Sequence, residues 1–135
     1  MDELTIKRSL DIEDVIRQAL DPYFIAYVPP LPEKFTVPSL LIQRVGGTDE
    51  NTIDTFDVVI DSRAEDEATA DENLRTAIGA LKEIARLQKT SLRHIKVNSI
   101  GSWGSDPVRP ELSMCTARIR AVAHEETITI GGNES

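Results

Sequence analysis

The sequence predicts an α+β domain. Its expected form is an antiparallel or mixed sheet of four to five strands with two helices packed on one face, in the order α-β-β-β-α-β-β. Three observations carry this. Two segments, over about 11–20 and 64–87, repeat apolar residues at helical spacing. Segments such as 54–61 and 115–123 alternate instead with period two, apolar on one side and polar on the other. Two strand-like segments are joined by a short Gly-rich stretch, the signal of an antiparallel hairpin, which favours a sheet with one covered and one open face. The 135 residues fit one domain spanning 1–135, with its core over about 10–125 and flexible ends at 1–9 and 131–135.

The first helix has a start and a stop. Asp11 is an N-cap, with Asp14 three residues on in an imperfect capping-box position. Ile12, Val15, Ile16, Ala19 and Leu20 form one stripe, and Asp21-Pro22 ends it because the residue before proline avoids the helical region. Tyr23–Val28 reads as a short strand. Pro29, Pro30, Pro32 and Pro38 then forbid regular structure, so 29–38 is a Pro-rich loop or arm. Ser39–Val45 is a strand, 46–52 a polar turn region around Gly46-Gly47, and Asp54–Asp61 a strand with Phe56, Val58 and Ile60 on one face.

The second helix runs from about Ala64 to Leu87 on a stripe of Leu74, Ile78, Leu81 and Ala85. Acidic residues crowd its first half and Lys82, Arg86 and Lys89 its end, which complements the macrodipole. Gly79 in its middle costs about 1 kcal/mol relative to alanine, so a close approach to the backbone there is expected. Ile95–Ile100 is a strand, and 101–110 (GSWGSDPVRP) reads as a loop. In the last long strand Cys115, Ala117, Ile119, Ala121 and Ala123 form a small-residue face suited to a closely packed helix. Thr127–Ile130 is a candidate for a further short strand. The open sheet face would carry Asp57, Asp61, Lys96, Arg118 and Arg120, where opposite charges pair across strands for a few tenths of a kcal/mol.

Composition narrows the function classes. Against 15 Lys and Arg stand 23 Asp and Glu, a net charge of −8. The basic residues are scattered, so a phosphate-gripping patch is disfavoured, whereas an acidic surface lets DNA pass without sticking. The longest apolar run is the six residues 23–28, too short to span a membrane. The acidic start is not a secretory signal, and the single Cys115 gives no sign of an oxidising compartment, so an intracellular origin is expected.

No constellation for chemistry emerges. His94, His124 and Cys115 match no zinc spacing, and Cys115 falls on the inward face as a small core residue. Asp57 and Asp61 lie roughly 13 Å apart along one strand, too far for a shared proton or metal. Gly46-Gly47 leads into a strand rather than a helix and so fails the context of a phosphate loop. No catalytic, cofactor or metal residue is therefore assigned. Binding surface remains. Candidate subunit or partner contacts are Phe35 in the proline arm, Trp103, Asp106 and Arg109 in the 101–110 loop, and Arg118 and Arg120 on the open face. Trp103 reads equally as an interface anchor and as a cap folded back on the core.

Several segments in this order resemble the tail-terminator proteins of long-tailed bacteriophages, a group that includes head–tail joining and tail-completion components. The likeness covers about residues 10–125. It rests on the N-terminal amphipathic helix and Pro-containing stretch, then PSLLIQRVGG (38–47). It continues in TFDVVIDSRAEDEATADENLRTAIGALKEI (55–84) and IGSWGSDPVRPELSMCTARIRAVA (100–123). The family often has an aromatic just before the last strand, where this chain has Leu112-Ser113-Met114.

The resemblance implies a non-enzymatic α+β subunit without cofactor. It implies a ring, typically hexameric, at the head-proximal end of the tail, which stops tube polymerisation and offers the joining surface for the head. Its partners would be other copies of itself, the tail-tube protein and a head-completion or neck protein, with genomic DNA passing through the lumen and no membrane involved. Its place would be the tail–neck region of the virion, and the host cytoplasm during assembly. The alternatives are a neighbouring neck adaptor, a monomeric module binding a peptide or nucleic acid, and an enzyme built on His94, His124 and Cys115.

Overall fold

A computed structural model describes residues 2–50 and 53–132; the side chains at positions 49, 50, 102 and 103 lie outside the described part. The chain runs β1 (Glu3–Arg8), α1 (Ile12–Leu20), β2 (Ala26–Tyr27), β3 (Ser39–Glu50), β4 (Ile53–Ala64), α2 (Glu67–Leu87), β5 (Leu92–Ser105), β6 (Ser113–His124) and β7 (Glu126–Gly131). Five strands form a sheet in the order β2-β3-β4-β6-β5, and β1 and β7 form a separate two-stranded sheet. All neighbours are antiparallel except the short β2–β3 pair, so the main sheet is mixed and the α+β class holds.

Both helices cover one face of the main sheet. Ile12, Ile16 and Leu20 of α1 and Leu74, Ala77, Ile78 and Leu81 of α2 share a core with Leu40 and Ile42, with Phe56, Val58 and Ile60, and with Ile119. The predicted small-residue face of β6 is buried throughout, and its alanines let α2 lie close over the strand. Asp11 caps α1, its Oδ1 accepting the Asp14 N–H at 3.4 Å. Asp66 caps α2 more tightly, accepting the Thr69 N–H at 2.8 Å and the Thr69 hydroxyl at 3.0 Å. These Thr69 bonds, the backbone one first, hold the Asp66 carboxyl below its ordinary pKa.

Long-range pairing overrides several local signals. Residues 1–9 were expected to be flexible, yet Glu3–Arg8 is a strand paired in register with Glu126–Gly131. The expected strand at 23–28 shrinks to Ala26–Tyr27. Gly46-Gly47 does not turn the chain: β3 continues to Glu50 past a bulge between Arg44 and Gly46. Gly47 has φ +144°, and a Cβ there would lie 2.3 Å from the Thr55 carbonyl oxygen, so close strand approach requires glycine. Residues 101–105, read as loop, extend β5 against β6 with bulges nearby. The helix begins at Glu67 instead of 64, since Ala64 still belongs to β4. Among the described residues, nothing beyond the helix's own neighbouring backbone lies within 4 Å of a Cβ added at Gly79, so no other element approaches it closely. The peptide bonds preceding Pro30 and Pro38 are cis.

Candidate functional site

The face of the main sheet turned away from the helices carries the polar partners of each alternating strand. Asp57 of β4 lies opposite Arg120 of β6, whose Nε donates to Asp57 Oδ1 at 3.1 Å. Two pairs along the same face, Asp61 lies opposite Thr116, whose hydroxyl donates to Asp61 Oδ1 at 2.7 Å. Arg118 lies opposite Val59 and is exposed; among the described residues it has no carboxylate partner within 4.0 Å. Lys96 of β5 sits directly opposite Arg120. This half of the face is a flat array of unlike charges that meets solvent.

The other half is covered by the chain itself. The Pro-rich arm 29–38 and the β5–β6 connection meet over it. The Thr36 N–H donates to the Tyr27 hydroxyl at 3.1 Å and anchors the arm to β2. Phe35, only 7% exposed, turns inward, with the guanidinium of Arg109 5.1 Å and that of Arg63 5.8 Å from its ring centroid. Those distances suit cation–π contact, which gains strength in a partly dry setting. Arg109 also lies 3.1 Å from Glu111 in an ion pair.

Beneath this layer Arg63 Nε donates to Asp106 Oδ2 at 2.9 Å, with the two side chains 9% and 2% exposed. Asp106 Oδ1 accepts the Val108 N–H at 2.9 Å, so both of its oxygens are used. Burial pushes the Asp106 carboxyl up, but the Val108 and Arg109 N–H groups and the Arg63 charge outweigh burial and hold it below the ordinary range. Arg63 Nη1 is buried without a hydrogen-bond partner among the described residues, with Asp61 Oδ2 3.9 Å away.

The structure thus brings three of the predicted contact residues together. Phe35, Asp106 and Arg109 form one corner, locked within the chain and not extended from it. Arg118 and Arg120 lie apart from them on the charged half of the face. The backbone of Trp103 belongs to β5, while its side chain lies outside the described residues. Arg63, the hub of the corner, was missed by sequence reasoning. The outward alternation Asp57, Val59, Asp61 reaches it in one more step, beyond the Asp61 at which the sequence pattern ends the strand.

The grouping of His94, His124 and Cys115 is not assembled. His94 pairs with Val122, seven residues along β6 from Cys115, roughly 23 Å at strand rise. Cys115 is fully buried, and burial first, then the charge of Asp71, raises its thiol. Among the described residues no three His, Cys, Asp or Glu side chains converge as a metal site. Among the described residues no helix is long and apolar enough to cross a membrane.

The chain matches no protein-family model and no curated protein.

Proposed function

We propose that this chain is a structural virion subunit that closes into a ring at the head-proximal end of a bacteriophage tail, terminates the tube and presents the surface for head joining. Its partners on this reading are other copies of itself, the tail-tube protein, and a head-completion or neck protein. DNA threads the lumen without base-specific contact. The chain acts by shape: its work is to fit neighbours, and no bond is made or broken.

One observation carries the reading. Unlike surfaces are left uncovered on one subunit: the aliphatic face of the β1–β7 ribbon with Leu4 and Ile130, the apolar outside of the helix layer around Tyr23 and Leu87, and the charged array around Asp57, Arg118 and Arg120. A ring is built head to tail, so each subunit needs two different patches, and a subunit with one self-matching patch stops at a dimer. The net charge of −8 suits a conduit that repels phosphates. The order of elements and the segments 38–47, 55–84 and 100–123 support the family resemblance.

Light scattering on the purified chain, alone and with tail-tube protein, tests the reading. The expected mass is a fixed multiple of 14.9 kDa, about 90 kDa for six copies. A monomeric mass under both conditions would reject it.

A further inference from the structure

The β1–β7 ribbon and the outer helix groove are two halves of one contact. The ribbon joins Glu3–Arg8 to Glu126–Gly131, and its register sets Leu4 opposite Ile130 and Ile6 opposite Ile128. Residues two apart share a face, so these four aliphatic side chains lie on one side of the ribbon. The same side ends in the Arg8–Glu126 ion pair, 2.6 Å long. Thr5 and Thr129, bonded to each other at 3.1 Å, occupy the opposite side. None of the four aliphatic residues belongs to the hydrophobic core or packs against it. A two-stranded ribbon is marginal in water by itself, so an apolar face of this kind needs a cover.

The chain carries a matching recess. Tyr23, Phe24, Ala80, Ile84 and Leu87 line a cavity of about 500 Å³ between the α1–β2 connection and α2. A second cavity of about 280 Å³ shares Tyr23, Ile84 and Leu87 with it, so the recess is continuous. Tyr23 is 71% exposed at its centre. Lengths agree: the α2 wall from Thr76 to Leu87 spans roughly 17 Å at helical rise, and a six-residue strand spans about the same. Charge agrees as well. In a chain of net charge −8, Glu3 and Glu126 balance Lys7 and Arg8 in the ribbon. The recess itself is lined by one acid and one base, Glu83 and Lys89, and Glu83 is paired with Arg86. Two acidic copies can approach closely only where acidic charge is sparse, and both patches meet that condition.

We infer that the β1–β7 ribbon of one copy seats its Leu4, Ile6, Ile128 and Ile130 face in the Tyr23–Leu87 groove of a second copy of this chain. The contact is head to tail, because ribbon and groove are different surfaces. It deepens the ring reading by naming the joint between subunits, and it rests on that reading for closure.

The test is complementation. A ribbon variant (Leu4→Thr with Ile130→Thr) keeps strand-forming residues but loses the apolar face. A groove variant (Tyr23→Lys with Leu87→Lys) changes two exposed positions and leaves the core intact. Circular dichroism melting checks that both fold as the wild type does. Light scattering then reads mass at matched concentration. Each variant alone is expected to be monomeric. Their equimolar mixture is expected to form dimers near 30 kDa, twice the 14.9 kDa chain, since one intact ribbon meets one intact groove. Failure of the mixture to recover dimers, a wild-type mass for either variant, or a monomeric wild type at about 0.5 mM would overturn the inference. The two readings separate cleanly. Complementation with an open or non-ring wild-type assembly rejects the ring and keeps the joint; a closed ring unaffected by the ribbon variant does the reverse.

Discussion

Removing the Asp106 carboxylate should destabilise the fold by about 3–5 kcal/mol, the cost of leaving one buried partner of an ion pair uncompensated. The magnitude follows from the corner's geometry. At the 2.9 Å separation of Arg63 Nε and Asp106 Oδ2, an effective dielectric constant of about 20 gives a gross attraction of roughly 6 kcal/mol. Desolvation of both groups offsets much of it, so the pair is worth little net against a well-packed apolar replacement. With side chains 9% and 2% exposed, solvent does not screen what remains after one partner is lost. Asp106→Ala and Arg63→Met should each cost several kcal/mol, whereas Arg63→Met with Asp106→Leu should return to within about 1–2 kcal/mol of wild type. Urea unfolding followed by circular dichroism at fixed protomer concentration measures all three. The pH dependence has a definite sign. The folded carboxyl sits below its ordinary value of 3.8, so its contribution is complete above that value and is lost as pH falls through the lower folded pKa. The gap between wild type and Asp106→Ala should therefore narrow below about pH 4. Single variants costing under about 1 kcal/mol, or a double variant as unstable as the sum of the singles, would refute the reasoning.

Four other outcomes can be read with the same unfolding assay. Gly47→Ala should cost more than about 2 kcal/mol, because its Cβ would meet the immovable Thr55 carbonyl at a positive φ, whereas Gly79→Ala, with open space around it, should gain about 0.5–1 kcal/mol. Asp54 is 1% exposed, and neither of its carboxylate oxygens has a hydrogen-bond partner among the described residues, so Asp54→Val should stabilise by about 1–3 kcal/mol. Arg120→Gln, at a pair whose side chains are 49% and 37% exposed, should change stability by no more than about 0.5 kcal/mol.

What could be read from the sequence was what local chemistry decides. Asp11, the stripe from Ile12 to Leu20 and the Asp21-Pro22 stop act within a few residues of each other, and α1 forms where they indicate. The alternation from Cys115 to Ala123 reports burial on one side directly, and β6 follows it. The misreadings share one cause. Gly46-Gly47 and the run 101–105 satisfy turn rules locally, yet each is held extended by a partner strand that supplies the backbone hydrogen bonds. Pairing of β1 with β7 joins residues more than 110 positions apart, which no local window reports. The corner shows the same limit. Phe35 and Asp106 stand out in sequence only as separate surface candidates and Arg63 not at all; only the fold of the arm over β4 gives them a common site.

The uncovered surfaces differ in what they can contribute to assembly. Exposed charge pairs such as Asp57–Arg120 are already satisfied within the chain, and exchanging them for intermolecular pairs gains little free energy. Their use lies in orientation: a partner that places like charges against Arg118 or Asp61 is rejected, and one that matches them is held in register. The aliphatic ribbon face and the Tyr23–Leu87 groove are the reverse. Burial of apolar area stabilises a contact in proportion to area but tolerates sliding along the groove. A ring needs strength and a fixed angle together, since a joint free to rotate makes open filaments as readily as closed rings. Here the rigid Phe35–Arg63–Asp106–Arg109 corner matters indirectly. By pinning the proline arm over half of the outer sheet face, it leaves the charged half clear and at a fixed angle to the helix layer. The sheet between them fixes the charged half relative to the groove, so a neighbour whose ribbon seats in the groove meets those charges in one orientation.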